Sequence, residues 1–169
     1  MEAMEAVMTR RSIRKYTDRP VADEVVTLLL RAAMAAPSAG NQQPWHFVVI
    51  RDRAKLESIS TGLQYGAMAR DAQLAVLICG DTSLEKHAGF WVQDCAAATQ
   101  NLLIAAHALG LGAVWVGTFP REDRVAHMRS LCAVPEHLVP FSVVVVAYPG
   151  EQPAQADRFD QSRVHLDSW

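Results

Sequence analysis

Residues 91–117 read WVQDCAAATQNLLIAAHALGLGAVWVG. From Trp91 to Leu109 apolar residues occupy most sides of a helix, which predicts a helix buried in the middle of a fold. Gly110 and Gly112 can end it, because glycine accepts the left-handed cap conformation, and Ala113–Val116 follows as a short strand. The run from Cys95 to Val116 is the longest apolar stretch of the chain, yet Thr99, Gln100, Asn101 and His107 interrupt it. A membrane span needs about 20 predominantly apolar residues, so the reading is a core helix in a soluble protein with no membrane contact. Asp94 inside such a helix needs a partner for its carboxylate, which predicts a salt bridge or a cap.

Working outward, Phe141–Ala147 (FSVVVVA) is a continuous apolar run that belongs in the centre of a sheet, covered on both faces. Trp45–Arg51 and Gln73–Cys79 read as further strands. Helices are expected over Glu2–Thr9, Ala22–Ala35, Asp52–Ser60 and Arg121–Leu131, the second from apolar positions spaced three and four apart. Helices flank a few strands without a regular βαβα rhythm, so the predicted fold class is α+β: a sandwich with a mixed central sheet between helices. Its 169 residues form a single domain. The tail from about 151 to 169 has mixed polarity and ends in Trp169, which predicts that it docks on something.

The net charge of −2 gives no footprint for nucleic acid. Three widely spaced cysteines, Cys79, Cys95 and Cys132, form no CxxC pair and no disulfide framework. The first residues carry acids before a basic run, the reverse of a signal peptide. A reducing cytoplasm is the expected location. Six histidines occur without HExxH or another ligand spacing, so no metal is expected.

Four clusters carry candidate chemistry. In RRSIR (residues 10–14), three guanidiniums and a hydroxyl fall within five residues. Arginine forks match phosphate oxygens, although a solvated basic turn is the commoner meaning of such a run. PSAGNQQPW (residues 37–45) combines turn formers with the donors and acceptors of Ser38, Asn41 and Gln43. GLGAVWVGTF (residues 110–119) has the first two glycines of a dinucleotide fingerprint, but Trp115 stands at the third, and the segment follows a helix and precedes a strand. That context is the reverse of the one required, so a Rossmann site is excluded. Arg158 in the tail stands apart from other basic residues. Trp91, Phe90 and Tyr65 are candidates for the wall of a substrate pocket, with core or interface packing as the alternative for the first two.

Taken in order, RRSIR, PSAGNQQPW, WVQDCAAATQNLLIAAHALGLGAVWVG and RFDQSRVHLDSW (residues 158–169) resemble the landmarks of the nitroreductase family over nearly the whole chain. The resemblance is to the compact branch, without the long insertions that build lids. It implies an intertwined homodimer with FMN at the subunit interface and the tail packed on the partner. Arg10, Arg11, Ser12 and Arg14 are then expected around the FMN phosphate and ribityl chain, joined by Arg158. Pro37, Ser38, Ala39 and Asn41 are expected from the partner subunit, and Val116 and Gly117 at the reactive edge of the ring. Many members carry a second basic residue where this chain has Ala156, which implies a less positive phosphate site.

The implied reaction passes electrons from NADH or NADPH to nitroaromatics, quinones or similar small-molecule acceptors, by a ping-pong mechanism. No catalytic side chain is expected, because the flavin carries the chemistry. Related reactions, flavin fragmentation or dehalogenation, and a flavin-binding sensor or store with little turnover are the alternatives. The choice between NADH and NADPH is not written in the sequence, since the Rossmann ribose discriminator is absent.

Overall fold

The computed structural model describes residues 1–169. Five helices, α1 (Ala3–Thr9), α2 (Asp23–Met34), α3 (Arg53–Gly62), α4 (Trp91–Ala108) and α5 (Glu122–Cys132), surround four strands. The strands are β1 (Trp45–Ile50), β2 (Leu74–Asp81), β3 (Gly112–Gly117) and β4 (Leu138–Ala147), in the spatial order β1-β2-β4-β3. All three strand pairs are antiparallel. The parallel component is a single bridge between Ser12 and Ala113 at the outer edge of β3.

Side chains alternate across the sheet with period two and feed two cores. Leu74, Val76, Ile78, Val144 and Val146 face one, which α2 and α4 cover. Ala75, Leu77, Cys79, Val143 and Val145 face the other, which α3 and α5 cover. β2 and β4 are thus buried on both faces, which explains their unbroken apolar runs. Helix α4 packs on the sheet, and α2 and α1 both pack on α4. A helix with protein on several sides cannot keep a polar face, hence its near-uniform apolar surface.

Strand β4 starts three residues earlier than its apolar run, at Leu138, and includes Pro140. The β2–β4 register shifts between Ile78 and Cys79, and Cys79 lies opposite Pro140. Proline lacks the N–H that an interior ladder requires, and it is tolerated at such an irregularity. Within one chain the end of the tail is uncovered: Phe159, Leu166 and Trp169 are exposed. Trp169 meets only its neighbour His165, ring to ring at 4.4 Å. No helix is long and apolar enough to cross a membrane, and no group of acidic, His or Cys side chains is arranged to hold a metal ion.

Asp94 is 4% exposed and finds its partners outside α4. Its Oδ1 accepts from the Ala39 amide at 3.0 Å and its Oδ2 from Gln42 Nε2 at 2.6 Å. Gln42 is itself buried, and its Oε1 accepts from the amides of Lys86 and His87. The carboxylate is therefore neither ion-paired nor a cap of its own helix. It fastens the loop 37–44 to the start of α4 and, through Gln42, to the segment that precedes α4. Removing it strands one buried and one half-buried donor, and hydrogen bonds to charged groups are worth about 1.5–3 kcal/mol each. Asp94→Ala is expected to destabilise the fold by at least about 1.5 kcal/mol, read as a lower urea midpoint. An unchanged midpoint would show that the loop holds itself.

Candidate functional site

The basic turn leaves α1 at Arg10 in an extended conformation (φ −53, ψ 132). It lies against β3 through Ile13, whose amide donates to Ala113 O at 3.0 Å. That approach requires Gly112, because a Cβ there would sit 2.7 Å from Ile13 Cγ2. On the other side, Glu151 Oε1 accepts from the amides of Arg14 (2.6 Å) and Lys15 (3.1 Å).

In an extended run successive side chains point to opposite sides. Ile13 is buried, and Arg11 lies on its side. The Arg11 guanidinium is occupied by backbone carbonyls: Met8 and Arg10 in its own segment, Ala154 and Ala156 in the tail. Arg11 thus ties down the tail, and it differs from its neighbours in having no free donor fork. A cavity of about 710 Å³ lies on this side, lined by Thr9, Arg11, Ile13, His107 and Glu151 among others, and not by Arg10, Ser12 or Arg14.

Arg10, Ser12 and Arg14 occupy the opposite side. No hydrogen bond or salt bridge involves the side chains of Arg10, Arg14 or Arg158. Partial burial, then the charges of Arg11 and Arg158, push Arg10 below its usual pKa, as expected of clustered cations without a counter-ion. Such a cluster favours an anion.

Strand β3 links this cluster to the second element of the site. It is an edge strand. Ala113 O points away from β4, since it accepts from Ile13. By the alternation of an antiparallel ladder, the backbone groups of Trp115 and Gly117 point outward too. Gly117 O bears this out by accepting from Arg124 Nη1 at 3.0 Å. The Gly117 amide is therefore directed away from β4, and nothing lies within 4 Å of where a Cβ of this residue would be. Ala113 and Gly117 are four residues apart, about 13 Å at about 3.4 Å per residue. An elongated ligand with a phosphate at one end and a hydrogen-bond acceptor at the other fits this donor set. Val116 differs from the expectation for it: its side chain is buried in the second core and its backbone belongs to the β4 ladder.

The loop 37–44 is tightly built. Ser38 Oγ accepts from the Gln43 amide at 3.0 Å, and Asn41 Oδ1 from Gln43 Nε2 at 2.8 Å. Gly40 is left-handed (φ 54), and a Cβ there would meet His87 Nε2 at 2.9 Å. Pro37 and Asn41 remain exposed, Ser38 and Ala39 half-buried. This loop does not meet the basic turn within one chain. Asp94 holds it near the start of α4, whereas Thr9, beside Arg10, bonds His107 near the end (2.7 Å). Those two anchors lie about 20 Å apart along the helix at 1.5 Å per residue.

The candidate pocket residues also separate. Trp91 is 7% exposed and packs edge-on against Phe119 and Phe141, so it is a core residue. Phe90 is exposed beside His87, close to the loop 37–44. Tyr65 is exposed with a left-handed backbone (φ 69). Its neighbour Gln64 accepts from Arg124 Nη2 at 2.7 Å, which puts Tyr65 in the vicinity of Gly117. Sequence reading missed Arg124, Gln64 and His87. A lone arginine on a short, mostly polar helix gives no signal, since its role appears only when β3 and the 63–66 turn are seen beside it.

The family model described as "Nitroreductase family" matches residues 7–78 and 60–148. A protein of Methanothermobacter thermautotrophicus, provisionally named NADH dehydrogenase/NAD(P)H nitroreductase, is 54% identical over 169 residues, covering 100% of this chain and 88% of its own. A crystal structure from Parabacteroides distasonis with the same provisional name superposes with a TM-score of 0.95 at 38% identity, covering 99% of this chain and 98% of that one. A provisionally assigned nitroreductase from Desulfovibrio desulfuricans, solved in complex with FMN, superposes with a TM-score of 0.86 at 32% identity, covering 100% and 98%. With the family model spanning most of the residues and a relative at this level of identity over the full length, the chain belongs to the nitroreductase family.

Proposed function

We propose that this chain is an FMN-dependent oxidoreductase that takes a hydride from NADH or NADPH and delivers electrons to oxidised organic acceptors such as nitroaromatics and quinones. The observation that carries this reading is the donor set along β3: unpaired Arg10, Arg14 and Arg158 at one end, the outward amide of Gly117 at the other. Arg10, Ser12, Arg14 and Arg158 hold the phosphate and ribityl chain. The Gly117 amide donates to the reactive edge of the ring, where negative charge gathers on reduction. When bound, FMN supplies the hydride chemistry, and the protein supplies orientation and electrostatics. The FMN found in the Desulfovibrio relative and the NAD(P)H in the names of others support the cofactor and the donor. Arg11 contributes by holding the tail that carries Arg158, at the level of the Ala156 backbone.

The working unit is a homodimer in which Pro37, Ser38, Ala39 and Asn41 of one copy approach the flavin of the other. The separation of the loop from the basic turn within one chain favours this. So does the exposed apolar surface of the tail (Phe159, Leu166, Trp169) and of α1 (Met4, Val7, Met8). The extension of about 151–169 packs on the partner. Obligate interfaces often bury more than about 2,000 Å². Three free cysteines suit a reducing cytoplasm.

Three measurements test the proposal. The purified protein is expected to be yellow, and Arg14→Ala and Arg158→Ala are each expected to weaken flavin retention about tenfold or more, since a charge-assisted hydrogen bond is worth about 1.5–3 kcal/mol. Full FMN occupancy through dialysis in both variants would refute the phosphate assignment. Light scattering is expected to give the mass of two chains, and an active flavin-loaded monomer would refute the shared site. Donor and acceptor have no separate domain and must use one exposed flavin face in turn. Initial rates at several fixed acceptor concentrations are therefore expected to give parallel reciprocal lines, and intersecting lines would refute the single pocket.

A further inference from the structure

We infer that Arg124 is a positioning residue that locks the Gly117 strand end and the 63–66 turn into one unit. The guanidinium of this α5 residue spans two elements distant in sequence. Its Nη1 donates to Gly117 O at 3.0 Å and its Nη2 to Gln64 Oε1 at 2.7 Å. No carboxylate pairs with it: the four salt bridges of the chain involve His46, Arg51, Arg70 and Arg163. Both bonds serve groups that the rest of the fold leaves loose. Gly117 is the last residue of an edge strand, and its outward carbonyl has no neighbouring strand to bond. Gln64 lies in a tight turn just after α3: Leu63 caps the helix, and Gly66 N donates to Leu63 O at 2.8 Å.

Tyr65, in that turn, adopts a left-handed backbone (φ 69), which is disfavoured for a non-glycine residue. A conformation of that kind persists only where the surroundings hold it; a backbone bond from Gly66 to Leu63 closes the turn, and the Gln64–Arg124 bond joins it to α5. The planar fork is what makes the bridge possible. It presents two nitrogens in fixed relation to two acceptors, whereas a lysine ammonium is a single point on a flexible stem. One side chain therefore ties the end of β3 at Gly117 to the turn that carries Tyr65.

The inference rests on the flavin reading for its functional meaning, and its two arms give separate signatures. Arg124 is remote from the phosphate cluster, so Arg124→Met is expected to keep its FMN. Its bound-flavin absorption spectrum should shift, because the ring loses a fixed donor, and flavin reduction by NAD(P)H should slow roughly 10- to 100-fold through misplacement. Arg124→Lys should behave as Arg124→Met, since a lysine does not replace the fork. Gln64→Leu cuts only the arm to the turn. It should raise the KM for donor and acceptor alike several-fold and leave the flavin spectrum and its reduction rate at saturating donor unchanged, and the double variant should be no worse than Arg124→Met alone. Wild-type spectra and rates in Arg124→Met, full rescue by lysine, or additive losses in the double variant would each overturn the inference while leaving the flavin reading intact. A wild-type protein that binds no FMN would overturn the flavin reading and this inference with it.

Discussion

The Asp94 carboxylate lies where three parts of the chain converge: the central helix, the loop 37–44 and the segment 85–90. A buried carboxylate without hydrogen bonds is prohibitively costly. Its two oxygens are instead satisfied by one backbone amide and one side-chain amide, and that side chain passes the constraint on to two further amides. The loop joins α2 to β1, and three of its residues, Gly40, Asn41 and Gln43, have positive φ. Such a loop does not hold its shape by local preference. It borrows rigidity from α4, the most deeply packed helix of the fold, so a binding surface built from irregular backbone inherits the precision of the core.

β3 performs a comparable service for the other half of the site. One end is set by the approach of Ser12 and Ile13, the other by the last residue of the strand. A strand has a nearly constant rise per residue, so the spacing between the cationic cluster and the outward amide is a property of the sheet. The sheet is in turn held by the valines of β4, buried on both faces. Core packing and ligand geometry are therefore one problem here, and a disturbance of β4 would reach the site without touching any residue in it.

The fold was legible because its strongest signals are long and periodic. The apolar α4, the valine run of β4 and the glycine pair after α4 lead to the right elements within a few residues. The family landmarks marked the segments of the candidate site. What could not be read was direction. RRSIR shows its arginines as equivalents, yet an extended backbone sends Arg10 and Arg14 one way and Arg11 the other. Arg11 bonds four carbonyls where its neighbours bond none. Trp91 reads equally as core or as a pocket wall, and it is core, because Gly80 leaves room for its ring. Asp94 was recognised as needing a partner, but a loop some fifty residues away is not a partner that spacing reveals. The antiparallel order of the sheet likewise follows from how helices cross it, which a single sequence does not display.

The free edge of β3 carries a further consequence, for solubility. An edge strand with unpaired outward amides and carbonyls is a template on which another chain can add a strand. Here the template is interrupted at both ends. Ser12 and Ile13 cover Ala113, and the Arg124 guanidinium covers the carbonyl of Gly117. Between them only Trp115 presents outward backbone groups, a stretch too short to align a foreign strand in register. The edge can thus remain open to a small molecule while being closed to a second polypeptide, and a bulky cation at its end does what a proline or a bulge does on other sheets.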